Sequence, residues 1–247
     1  MGDVAFCFVQ LGPVAGPGQP YGLVRAAQAL ALPRPGGATD VTGMAVAYDL
    51  GDAASPFDSV HFRNKTEVAR RLAAAVLRTQ FALPNASLAG PSVRGFSGVS
   101  ATGLTVELLV PDGSGVRLAD GGQCTLCCGG ARFFDLLQLS ADGGATWVNA
   151  SLDVGALGTS IIAQAEVPAA APFTNARLAW GSYPQCAVVA QGNGFPLPAF
   201  SMPVAPPPPV AAAGSAALSS PAPVVAASVA TSSAAPRRRV FPASDAP

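Results

Sequence analysis

The chain has 247 residues, half of them hydrophobic and 11% charged, and its 14 basic side chains balance its 14 acidic ones. That is ample apolar material for a packed core, and the even charge argues against a nucleic-acid binder or a polybasic membrane-surface protein. No uninterrupted apolar run reaches the roughly 18 residues of a bilayer-spanning helix, so no membrane span is expected.

The start, Met1-Gly2-Asp3-Val4, leads straight into a β-rich run, without the basic n-region or small-residue cleavage site of a signal peptide. Residues 4–10 read as a buried strand, Tyr21 to Leu32 as a short amphipathic helix, and Met44 to Leu50 as a second apolar strand of parallel-sheet character. After a loop containing Ser55, Pro56 and Phe57, the stretch Lys65 to Gln80 places Val68, Leu72, Val76 and Leu77 on one helical face. Arg70, Arg71 and Arg78 fall mostly elsewhere, as on a surface helix packed against a sheet. Asn64, with Glu67 three positions on, predicts an N-cap and a capping box for it. Residues 1–84 therefore read as α/β.

Beyond Leu83 the period changes. Leu104 to Val110, Phe133 to Leu139, Ser160 to Val167 and Ala176 to Trp180 are strand-like runs separated by Gly, Asp, Asn and Pro turn signals, which predicts an all-β sandwich-like domain over 85–202. From Pro203 the chain is almost entirely Pro, Ala, Ser and Val, interrupted by Arg237, Arg238 and Arg239. Such a composition cannot offset the entropy of ordering, so 203–247 is expected to be a disordered tail and the arginine triplet a solvated charge run.

Chemistry-bearing residues are few. The single histidine, His61, closes Asp58-Ser59-Val60-His61 in the loop before the capped helix. A D-x-x-H pair there can act as base and orienter: the carboxylate accepts a hydrogen bond from Nδ1–H, which fixes the tautomer and leaves Nε2 free to accept a proton from a hydroxyl. Of the five cysteines, Cys124 and Cys127 have zinc-ligand spacing, but no second pair or nearby histidine completes four ligands, so neither metal nor cofactor is expected. A disulfide between the Cys124, Cys127, Cys128 cluster and Cys186 is the alternative use, in a secreted setting. Sequons occur at Asn64, Asn85 and Asn149, the first already explained as a cap and the others in predicted turns. Trp147 and Trp180 read as core aromatics in preference to stacking platforms.

Four segments occur in order: Phe8-Val9-Gln10-Leu11, Leu23-Val24-Arg25-Ala26-Ala27-Gln28, Gly43 to Asp52, and Ser55 to Lys65. Arg177-Leu178-Ala179-Trp180-Gly181-Ser182-Tyr183-Pro184 and Gly194 to Phe200 follow. Together they resemble the sialate O-acetylesterases, a branch of the SGNH-type hydrolases, over about residues 5–202. The resemblance implies that 1–84 is the C-terminal part of a three-layer α/β/α esterase domain. It implies a serine that attacks the acetyl carbonyl of an O-acetylated sugar such as sialic acid, with His61 as general base. Asp58 would orient His61, with Asp52 as the fallback because the acidic position varies in register among relatives. A secreted or lysosomal setting is implied as well.

Two departures stand out. Phe62 occupies the place where members usually have proline, and the serine and oxyanion-hole segments precede the Phe-Val-Gln-Leu segment in that family. The nucleophile is therefore expected outside this chain, on an N-terminal half of the domain that would be its partner, and the chain alone is expected to be a poor esterase. No G-x-S-x-G elbow replaces it, and Ser92 and Ser97 read as turn residues. The other functional class is a non-catalytic remnant whose β domain binds carbohydrate or protein.

Overall fold

The computed structural model of the chain describes residues 6–15, 21–32, 42–81, 83, 86–120, 136–184 and 186–204. Two units are distinguished, Met1–Pro209 and Val210–Pro247, and the second lies outside the described residues. Asn85, Cys124, Cys127, Cys128 and the expected tail from residue 205 onward lie outside them too.

Strand β1 (Phe6–Val9) and strand β2 (Thr42–Ala45) pair in parallel, Phe6 opposite Thr42 and Val9 opposite Ala45, with helix α1 (Tyr21–Leu30) in the crossover between them. Parallel neighbours need such a crossover of a dozen or more residues. Helix α2 (Lys65–Phe81) packs on both strands. Its close approach depends on Gly43, where a Cβ would stand 3.1 Å from the Ala75 Cβ. Strand β2 starts two residues before the apolar run Met44 to Leu50 that predicts it and ends at Ala45, within that run. Tyr48 leaves the strand and is wholly buried, its hydroxyl donating to the Leu197 carbonyl at 2.9 Å.

Two expectations about α2 need correction. Asn64 Oδ1 does accept the Glu67 amide at 3.2 Å, but Glu67 does not reach back to complete a capping box. Its carboxylate instead takes Arg70 at 2.6 and 2.7 Å and Arg71 at 2.7 Å, and such charge-assisted bonds are stronger than one to a neutral amide. Arg71 is not on the outer face. It is buried with Ala74 and Ala75, whereas Val68, Leu72, Val76 and Leu77 are only half-buried.

The rest of the described chain is β. After a 3₁₀ turn at Ala86–Leu88 come β3 (Ser92–Ser97), β4 (Gly103–Leu109), β5 (Val116–Asp120), β6 (Leu137–Ser140), β7 (Val148–Val154), β8 (Ser160–Ala165), β9 (Asn175–Leu178), β10 (Cys186–Ala190) and β11 (Phe200–Pro203). Seven of them form an antiparallel sheet in the order β11-β9-β6-β7-β8-β4-β3, and β5 and β10 form an antiparallel ribbon. Alternation sends Leu104, Val106 and Leu108 of β4, Leu137 and Leu139 of β6, Ile161 and Ala163 of β8, and Ala176 and Leu178 of β9 into one core. The ribbon closes that core with all five residues of β10 buried, and Val46 and Tyr48 enter it from the N-terminal segment. Each fully buried Leu, Val or Ile stabilises the fold by about 1.5–3 kcal/mol. The described protein is thus mostly β, with two helices; of a parallel α/β layer it contains β1 and β2 with α2 packed on them.

Three further readings change. Ser92 and Ser97 are not turn residues: they begin and end β3, which pairs with β4 because Val93 and Phe96 pack on the core. Asn149 lies within β7, its side-chain oxygen accepting from Gln138 Nε2 at 2.8 Å, and not in a turn. Trp147 and Trp180 are half-buried, outside the core cluster. Cys186 is disulfide-bonded and Cys7 is a free thiol.

Candidate functional site

The loops around His61 are organised by two buried polar side chains of the N-terminal segment. Arg25, on the buried face of α1, spends all five guanidinium N–H donors on backbone carbonyls. Nε goes to Leu11 at 2.8 Å, Nη1 to Ala179 at 3.0 Å and Gly181 at 2.6 Å, and Nη2 to Gly12 at 2.9 Å and Ser182 at 3.1 Å. Burial lowers its pKa to about 10, and the carbonyls keep the charge solvated without a carboxylate. Gln10 adds a second tie, accepting from the Ala199 amide at 3.2 Å and donating to the Arg25 carbonyl at 2.9 Å. Gln28 brackets Leu11 and Val9, at 2.8 and 3.0 Å. The separate segments 8–11, 23–28 and 177–184 therefore meet on one arginine.

The chain leaving β2 is fixed next. Asp49 pairs with Arg71 through both oxygens, at 2.6 and 2.8 Å, and Arg71 Nη1 also donates to the Val46 carbonyl at 2.7 Å. Burial pulls the Arg71 guanidinium down, and the bonds and charges of Asp49 and Glu67 outweigh that and raise it overall. Asp52 pairs with Arg63 at 2.6 and 2.9 Å. That bond holds the Asp52 carboxyl below its ordinary range against the opposing effect of burial. Tyr183 lies against Gly51, where a Cβ would be 2.6 Å from its ring; burial raises the phenol, and the Asp52 charge adds to this.

Between Asp52 and Arg63 the loop carries the residues singled out in the sequence. Asp58 has φ 78°, a left-handed conformation that asparagine and aspartate tolerate better than most residues. Its carbonyl accepts the His61 amide at 3.0 Å, and its Oδ1 accepts from both the amide and the hydroxyl of Ser59. Ser59 is buried, and its Oγ accepts the Ala15 amide at 2.8 Å, pinning the loop to residues 11–15. Ser55 Oγ donates to the His61 carbonyl at 2.8 Å. Phe62 is buried with Ala47 and Leu50 and packs on Gly12, with Lys65 Nζ 3.8 Å from its ring centre.

His61 itself is exposed, beside exposed Phe57 and Val60, and its imidazole makes no hydrogen bond among the described residues. Asp58 and His61 are thus joined through the backbone and not by a carboxylate–imidazole bond, and Oδ2 of Asp58 has no described partner. Asp52 is engaged with Arg63, and the hydroxyls of Ser55 and Ser59 donate elsewhere. Chemically, the loop presents an accessible imidazole able to take a proton from a hydroxyl delivered to it. A groove of about 760 Å³ lies between β2, α2 and residues 195–198, and neither His61 nor Asp58 lines it. Among the described residues no group of three or more His, Cys, Asp or Glu could hold a metal ion, and no helix is long and apolar enough to cross a membrane.

No family model matches the chain, and no curated protein matches it. Among solved structures, a carbohydrate acetylesterase from Xanthomonas citri aligns at 22% identity and TM-score 0.60, over 80% of this chain and 41% of that one. The likeness is one of fold. This chain spans about two-fifths of that acetylesterase's length. Domains 1–6 of the surface-layer protein SbsC align at 12% identity and TM-score 0.32, over 59% of this chain and 16% of that one, a similarity too low to argue from.

Sequence reasoning missed the roles of Arg25, Arg63 and Arg71. The available signal was an arginine on the apolar side of its helix, as in Leu23-Val24-Arg25-Ala26-Ala27, and an acid a few residues past a strand end, as at Asp49. Neither signal names the partner.

Proposed function

We propose that the chain is the histidine-bearing part of a carbohydrate O-acetylesterase of the sialate O-acetylesterase kind, with an SGNH-type α/β/α layering completed by further strands beside β1. In this reading residues 1–84 belong to the esterase domain and 85–202 to an appended β domain. His61 is the general base, taking the proton of a serine hydroxyl as the oxygen attacks the acetyl carbonyl, then returning it to the departing sugar alkoxide. Asp58 turns from Ser59 to accept a hydrogen bond from the Nδ1–H group and stabilise the imidazolium. Its second oxygen is free to do so. The substrate class is an O-acetylated sugar, sialic acid among them, and the serine and its oxyanion donors come from the preceding half of the domain.

The observation that carries this reading is an accessible imidazole, unbonded among the described residues, on a loop closed at its ends by Asp52–Arg63 and pinned within by Ser59–Ala15, in a fold shared with a carbohydrate acetylesterase. The test is acetate release from an O-acetylated sugar by the chain alone and by the chain joined to the serine-bearing half of a related esterase. Activity in the joined protein that His61→Ala removes supports the reading. Turnover by the chain alone that survives His61→Ala refutes it.

A further inference from the structure

Three arginines of the described chain are drawn in from solvent, and two of them are saturated: Arg25 by five carbonyls, and Arg71 by Asp49, Glu67 and the Val46 carbonyl. The third is different. Arg177, on the outer face of β9, lies against two indoles, its Cζ 4.0 Å from the ring centre of Trp147 and 4.6 Å from that of Trp180. Nε donates to Gln138 Oε1 at 2.7 Å, and Nη1 and Nη2 have no partner among the described residues. No polar side-chain atom of the described residues is both buried and unpaired, so these two nitrogens reach solvent. No carboxylate pairs with Arg177, and partial burial lowers its pKa to about 10 with no compensating charge.

The surroundings are built in register. Ser201 of β11 stands opposite Arg177, Arg177 opposite Gln138 of β6, and Gln138 opposite Asn149 of β7, a hydroxyl, a guanidinium and two amides in one row across four strands. Within the row Gln138 Nε2 donates to Asn149 Oδ1 at 2.8 Å, and beside it Trp147 Nε1 donates to the Gly144 carbonyl at 2.9 Å. Cation–π contact with two indoles and the Nε bond to Gln138 hold the guanidinium, and Nη1 and Nη2 remain as a pair of donors that matches the two oxygens of a carboxylate. The neighbouring amides and hydroxyl supply donors and acceptors suited to sugar hydroxyls.

We propose that Arg177, framed by Trp147 and Trp180, is a binding site for a monosaccharide carrying a carboxylate, with Gln138, Asn149 and Ser201 holding its hydroxyl groups. This site does not rest on the esterase reading, since it needs neither His61 nor a serine.

The flanking indoles are the two tryptophans of the chain, so their fluorescence reports the site directly. Glucuronate and N-acetylneuraminate are titrated into the purified chain at neutral pH, beside glucose, acetate and the methyl ester of glucuronic acid. The expected result is a saturable change with at least one sugar acid, weakened tenfold or more for glucose, acetate and the ester, and weakened as much by Arg177→Gln. The ester comparison uses the unaltered chain, so it holds whether or not that variant folds. Equal response to acid and ester, equal response to acetate, or no saturable response to either sugar acid overturns the proposal.

Discussion

Arg63 grips Asp52 through both carboxylate oxygens, Nε to Oδ2 at 2.6 Å and Nη2 to Oδ1 at 2.9 Å, and its own amide adds a bond to Oδ2 at 3.1 Å. The pair ties together the two ends of the loop that exposes His61, so the imidazole is carried on a short, closed arch.

The pair sets a pH response. Arg63 holds the Asp52 carboxyl below its ordinary range, so the folded state binds this proton less readily than the unfolded chain. Its contribution is therefore complete above the ordinary carboxylate value of about 3.9 and is lost as pH falls through the lower, folded value. Arg63→Met is expected to unfold in acid at a higher pH than the parent, followed by circular dichroism. An unchanged acid midpoint would remove the pair from this role.

Arg71 and Asp49 are both nearly inaccessible, so breaking their pair leaves a charge without compensation. Arg71→Ala is expected to destabilise the protein by about 3–5 kcal/mol in urea unfolding. The double variant Arg71→Met, Asp49→Leu should be less damaging than the sum of the two single changes, because it removes both charges together.

Arg25→Lys keeps the charge but has three donors where five carbonyls are waiting. Orphaning buried carbonyls costs about 1–3 kcal/mol per group, so the midpoint of urea unfolding should fall clearly despite the conservative exchange. A stability equal to the parent would mean that the carbonyls are satisfied without it.

Gly22→Ala tests the seat of α1. A Cβ there would press on the Trp180 carbonyl oxygen and stand 2.6 Å from its indole Cδ2. Overpacking of this kind typically costs about 1–3 kcal/mol, and because Trp180 also flanks Arg177, the variant should change tryptophan emission as well.

His61→Ala should separate function from folding. The imidazole is exposed and bonds to nothing described, so stability should stay within about 0.5 kcal/mol of the parent. In the joined esterase the same change should abolish acetate release.

Local features were legible in the sequence because their causes are local. The Asn64 cap, the helical period of 65–81 and the alternation of β4, β8 and β9 each depend on residues within a few positions of one another. Asn149 and Ser92 were misplaced because their polar side chains suit a turn or an exposed strand position equally well; strand pairing decided between them.

By itself, then, the sequence determined the alternating pattern of the β part, the helix and its cap, and the single histidine in a loop. Only the tertiary structure decided which arginines turn inward and what they meet. Arg25 takes carbonyls from residues 11, 12, 179, 181 and 182, and a backbone carbonyl has no side-chain signature that a sequence could display. Arg177 meets Trp147 and Trp180 because strand register and the turn before β7 bring them together, and a one-residue slip of β9 would have put Arg177 on the core face.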